Sequence, residues 1–180
     1  MNCRSLFPAA YGIAGLLLSL CLQAQAPAPE WRPFESAEGR FRANFPGIPI
    51  MKRGKLQTDI GVITSTRYTA GDGVEAIYDV TYNDYPKERI AQLRAATLLE
   101  TVRDGLVYQA KGHLASDRPA ALGKLPGREF EIRSEDGTVY RIRLLLSGTR
   151  MYQLTAMARA PARPQEKKLF DSFQLTRETP

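Results

Sequence analysis

The sequence predicts an α+β fold: an antiparallel sheet of about six or seven strands, one long helix over about residues 86–110 and a short C-terminal helix over about 164–173. Three observations carry this. Runs with period-two alternation flank a single stretch of helical periodicity. No strand–helix–strand unit repeats, which argues against a parallel, doubly wound sheet. After the helical stretch, three alternating runs follow one another with only tight turns between them, the pattern of an antiparallel meander.

The chain opens with a segment that reads as an export signal. Arg4 and the amino terminus supply positive charge, and Tyr11 to Leu22 is apolar. Ala24-Gln25-Ala26 fits a small-x-small cleavage site. The apolar core is about 12 residues, against the roughly 20 that span a bilayer. Residues 1–26 are therefore expected to be a signal peptide, 27–33 a Pro/Ala-rich linker and 34–177 a single domain. A second route is open at Leu18-Ser19-Leu20-Cys21, which resembles a lipobox with bulky Leu20 in the place usually held by a small residue. Cys21 is thus the candidate lipidation residue, and the Pro/Ala stretch would then be a short tether.

Phe41 to Phe45 reads as a short strand stopped by Pro46-Gly47. Ile50 to Gln57 is basic and weakly patterned, as at a sheet edge. Gly61 to Thr69 sets Val62, Thr64, Thr66 and Tyr68 on one face. After Gly71-Asp72-Gly73, Val74 to Tyr82 alternates as a half-buried strand with Asp79 and Thr81 facing out. Pro86 suits a first helical turn, with Asp84 as a cap. Ala91, Ala95, Leu98, Val102 and Leu106 form the apolar stripe of one helix, Gly105 weakens its last turn, and Gly112 stops it. His113 to Ser116, Gly127 to Ser134, Val139 to Ser147 and Met151 to Ala158 are the later strands. Their stripes are Phe130 and Ile132; Tyr140, Ile142, Leu144 and Leu146; and Tyr152, Leu154, Ala156 and Ala158. Glu129 and Glu131 would meet Arg141 and Arg143 across the ladder. Pro161 and Pro164 break the pattern before a last helix that buries Leu169, Phe170 and Phe173.

Composition removes several kinds of chemistry. Cleavage after Ala26 discards both cysteines, Cys3 and Cys21, so the domain has no disulfide, thiol nucleophile or thiolate site. One histidine, His113, rules out a histidine cluster for zinc. No P-loop or calcium-loop pattern is present, and no metal or cofactor is expected. The mature charge is modest, 24 basic against 19 acidic residues for a net +5. The basic residues are scattered rather than striped, which argues against nucleic acid. His113, Ser116 and Asp117 contain the residue types of a hydrolytic triad, but they lie within five positions, whereas triad members usually converge from separate loops. Tyr68, Tyr78, Tyr82, Tyr85, Tyr140 and Tyr152 fit either a ligand groove or core packing with hydroxyls at the rim.

The string FESAEGRFRANFPGIP, Phe34 to Pro49, resembles the opening of many small exported bacterial proteins with an eGrF-x-v-x-FPg-x-P signature. RDGLV (from Arg103), LPGREFEI (from Leu125), RMYQLTA (from Arg150) and LFDSFQL (from Leu169) match later blocks of that group. In layout these are similar to the PsbP/Mog1-like α/β/α sandwiches. The resemblance implies an antiparallel sheet with a long helix after the first strands and a short C-terminal one. The group is largely of unknown function, so no catalytic residue is implied. PsbP itself is an accessory subunit of photosystem II, a role no residue here supports. The reading is an exported, non-enzymatic accessory or binding domain of the cell envelope, whose partner is an envelope protein or a small ligand. Two alternatives stand beside it: a lipoprotein anchored through Cys21 within a larger complex, and a hydrolase built on His113 with Ser116 or a nearby carboxylate.

Overall fold

The computed structural model describes residues 30–58, 61–71, 76–160, 162 and 164–176. The signal segment, Cys21, the turn at Asp72–Val74 and Pro161 lie outside them. Among the described residues ten strands and three helices follow in the order β1 (Trp31–Ser36), β2 (Phe41–Pro46), β3 (Ile50–Thr58), β4 (Gly61–Gly71), β5 (Ala76–Asp84), α1 (Lys87–Ile90), α2 (Ala95–Gln109), β6 (Gly112–Pro119), β7 (Gly127–Ser134), β8 (Thr138–Ser147), β9 (Arg150–Arg159), α3 (Glu166–Phe170) and β10 (Gln174–Leu175). Seven strands form one antiparallel sheet in the order β3-β4-β5-β9-β8-β7-β6. A second, three-stranded sheet has the order β1-β2-β10.

The small sheet is absent from the sequence reading. Trp31–Pro33, expected as linker, are in strand β1 and pair with Asn44–Pro46. The large sheet is also covered differently from the expected helices alone. On one face Phe41, Ala43 and Phe45 of β2 pack with Leu169 and Phe170 of α3 and with Phe173 onto Tyr78, Val80, Tyr82, Tyr152, Leu154 and Ala156. On the other, Leu98 and Leu99 of α2 pack on Phe130, Ile132, Ile142, Leu144 and Leu146. β8 and β9 therefore send their apolar stripes to opposite layers. Their register sets Leu144 against Gln153 and Arg143 against Leu154, so the two alternating patterns run out of phase across the ladder.

The single helix expected over 86–110 is two. α1 ends at Ile90, Ala91 to Arg94 form a turn, and Ala91 is exposed rather than in the stripe. Asp84 does not cap it: no side chain caps α1, and Asp84 is engaged with Arg150. α2 runs through Gly105 to Gln109. The left-handed residue that ends it is Lys111, φ 47°, not Gly112. Gly112 instead opens β6, where an added Cβ would sit 2.5 Å from the Arg133 carbonyl oxygen. β5 is not half-buried. It lies centrally between β4 and β9, and Asp79, Thr81 and Asn83 are buried on its second face.

Candidate functional site

His113, Ser116 and Asp117 all fall on β6 but form no triad. A register shift between Leu114 and Ser116 marks a bulge, and Ser116 lies beside Glu131 while Asp117 lies beside Phe130. Adjacent strand residues face opposite ways. Ser116 lines a cleft of about 250 Å³ with Arg118, Glu129, Glu131, Arg141, Glu166 and Phe170. Asp117 points to the α2 side and is fully engaged. Arg128 donates to both of its carboxylate oxygens at 2.6 Å, and Arg103 of α2 donates as well. Burial pushes this carboxyl's pKa up, but the hydrogen bonds from Arg128 and Arg103 outweigh it and hold the group below the ordinary range. A carboxylate clamped by two guanidiniums is a poor orienter for an imidazole. What it does is tie α2 to β6 and β7.

The Ser116 cleft is a ladder of closed ion pairs. Glu129 accepts from Arg143 at 2.7 and 2.9 Å and from Arg118, while Arg141 bridges Glu131 and Glu166. The registers Glu129↔Arg143 and Glu131↔Arg141 are those the alternation predicts. Arg143 also donates to the Phe170 carbonyl and stands 4.9 Å above its ring, so this face fastens α3 to the sheet.

The signature around Glu38-Gly39-Arg40-Phe41 is the turn between β1 and β2, docked on the large sheet by residues of the RMYQLTA block. Arg150 donates to both oxygens of Asp84 at 2.6 and 2.7 Å and to the Glu38 carbonyl at 2.8 Å. Its guanidinium lies 4.3 Å over the Tyr82 ring. The Tyr152 hydroxyl donates to the Gly39 carbonyl at 2.8 Å, and the Gly39 amide donates to Ser36 Oγ at 2.9 Å. A Cβ at position 39 would stand 2.7 Å from the Phe41 ring, so glycine is required by close packing. Beside this dock, Arg40, Ser147 to Thr149, Tyr152, Leu175 and Thr176 line an open groove of about 620 Å³. The opening signature and the RMYQLTA block meet here because they hold the two sheets together. Sequence strings distant along the chain gave no sign that Glu38, Asp84 and Arg150 meet.

Most of the tyrosines pack in the core, and Tyr152 does so while also lining the groove beside Arg40. Tyr68, Tyr78, Tyr82, Tyr85 and Tyr152 are buried. Tyr68 shares a hydrogen bond with Ser36 at 2.8 Å, and Tyr78 accepts from the Gln165 amide at 2.8 Å.

The surface that is not absorbed into packing is β3. Every residue from Ile50 to Gln57 is exposed, and β4 is its one partner strand among the described residues. Ile50 is 68% exposed, Val62 of the same hairpin 55%, and Ile48 just before it 87%. Met51 and Leu56 are exposed as well, interleaved with Lys52, Arg53 and Lys55. The other edge, β6, is broken by its bulge and ends in Pro119. β3 pairs with β4 through nine residues without a register shift. The sequence marked this strand as an edge but not as an apolar one. Its weak alternation is the signal: neither face needs to be apolar, because neither is covered.

No group of three or more His, Cys, Asp or Glu residues placed to hold a metal occurs among the described residues. No helix among them is long and apolar enough to cross a membrane. No protein-family model matches the chain, and no curated protein matches it. Among solved structures it is similar to cyanobacterial PsbP (CyanoP) from Synechocystis sp. PCC 6803, at 10% identity and a TM-score of 0.51 over 93% of this chain and 98% of that one. At that identity the likeness concerns architecture alone, and the fold is PsbP-like: α+β, built on a seven-stranded antiparallel sheet.

Proposed function

We propose that this chain is an exported, non-enzymatic binding domain of the cell envelope that engages a partner through the β3 edge and the β3–β4 hairpin. One observation carries the reading: β3 and its hairpin expose Ile48, Ile50, Met51, Leu56 and Val62 beside Lys52 and Lys55, on a strand paired along one side. Large apolar side chains grouped on a surface mark interaction sites more often than single ones do. Asp117, Glu129 and Glu166 are held in ion pairs with arginines that fasten α2 and α3 to the sheet.

The test compares the wild type with a Lys52→Glu/Lys55→Glu variant, each recovered from its native envelope after mild crosslinking. A defined protein retained by the wild type and lost by a normally folded variant supports the reading. An unchanged set of recovered proteins, or substrate turnover that disappears on a single polar substitution, contradicts it. Mass spectrometry of the mature amino terminus separates the two modes of retention. A diacylated Cys21 makes the domain a tethered subunit, and a terminus after Ala26 makes it a free one.

A further inference from the structure

Resting on that reading of β3, we infer that the partner is captured by strand addition, and that the added segment is extended, apolar at its ends and acidic at its middle. The backbone is the first reason. Among the described residues β3 is a nine-residue strand hydrogen-bonded along β4 only, so alternate amides and carbonyls on its outer side meet no described strand. The side chains are the second. Ile50, Lys52, Gly54 and Leu56 project to the α2 side of the sheet, and Met51, Arg53, Lys55 and Gln57 to the other. Each face thus has an apolar group and a cation, with Gly54 at the centre, where an added Cβ would meet nothing within 4 Å. A neighbouring backbone can approach closely there.

Charge selects the occupant. A second copy paired symmetrically about Gly54 would set Arg53 of each chain directly opposite Lys55 of the other, and like charges facing across a ladder are destabilising. Lys52 and Lys55 form no ion pair with any described residue, while Arg53 is already taken by Glu38. An incoming strand with a carboxylate on each face meets Lys52 on one side and Lys55 on the other. A segment with lysines, or a second copy, does not.

The probe is a synthetic peptide as long as β3, with Val and Ile at its ends and two Glu three residues apart in its middle, which fall on opposite faces of a strand, and with a Lys-for-Glu version as control. Amide exchange and chemical shifts are read on the full mature chain. The proposal expects saturable shifts confined to 50–58, about tenfold slower exchange of alternate β3 amides, and affinity about tenfold weaker in Lys52→Glu/Lys55→Glu. Tyr108→Glu, on the exposed face of α2, should bind as the wild type does. Equal binding of the lysine peptide, shifts elsewhere, or no added protection overturns strand addition. So does binding to vesicles of equal phosphatidylglycerol and phosphatidylcholine without any binding of the peptide, which would assign the patch to a lipid surface. Photocrosslinking from position 51 in cells separates the two levels. Adducts without slowed β3 exchange leave the binding reading standing and remove strand addition, whereas no adduct removes both.

Discussion

Arg150 is the residue on which most of the molecule's order converges. Its side chain is 10% exposed, and it joins β9 to Asp84 at the end of β5 and to the β1–β2 turn. Hydrogen bonding to Asp84 raises its already high pKa further, so it is charged at every pH of interest. Arg150→Ala should cost about 2–3 kcal/mol, measured by denaturant unfolding, because it strands the Glu38 carbonyl as well as Asp84. Arg118→Ala removes a pair whose arginine is 68% exposed and should cost well under about 1 kcal/mol. Asp79 makes the opposite kind of statement. Burial raises its pKa, against the hydrogen bond it accepts from Thr69 and the nearby Arg67. A carboxyl raised in the folded state favours folding in acid and loses that advantage as pH rises through its folded value. Asp79→Asn is therefore expected to raise the unfolding midpoint at neutral pH, with the gain vanishing below about pH 4. Asp117 and Glu129 run the other way. Burial opposes their charge, but their arginines prevail, so the stability they contribute is present near neutrality and lost as pH falls through their lowered values.

At the scale of elements, α2 depends on two contacts of different character. Leu98 and Leu99 are buried on the sheet, and Arg103 reaches Asp117 at the α2 surface. Leu98→Ala should destabilise the fold by about 2–4 kcal/mol in urea unfolding. Truncating Tyr108, 86% exposed on the same helix, should leave it unchanged. The periodicity of 95–109 made this helix legible, because a stripe recurring every three to four residues fits no strand. The break at Ala91–Arg94 was not legible, since Ala and Leu there are good helix formers and the chain turns for tertiary reasons. Alternation likewise located β7, β8 and β9 to within a residue or two. It could not say that β8 and β9 serve opposite layers, because phase between strands is set by register, and each stripe alone looks the same.

For the whole molecule, the seven-stranded sheet was readable and the small sheet was not. β1 contains Pro33 and has no clear alternation, and β10 has two residues, so neither carries a readable pattern. Both exist because Phe41, Ala43 and Phe45 of β2 cover one face of the large sheet and need neighbours. The candidate site was half-legible. The edge position of β3 followed from its basic, unpatterned run, whereas His113, Ser116 and Asp117 drew attention to β6, where Asp117 is held by Arg103 and Arg128. If Lys52 and Lys55 also guard the edge against self-pairing, a Lys52→Thr/Lys55→Thr variant should associate with itself as concentration rises. Sedimentation velocity would show this against a wild type that stays unchanged.

β3 stands in this proposal as a working surface and not merely an uncovered one. The most direct measurement places a photocrosslinking side chain at position 51 or at position 108 in otherwise native cells. If β3 binds a partner, position 51 gives a discrete adduct, reduced when Lys52 and Lys55 are changed to Glu, and position 108 gives none. Equal labelling from the two positions, or no adduct from position 51, would contradict it.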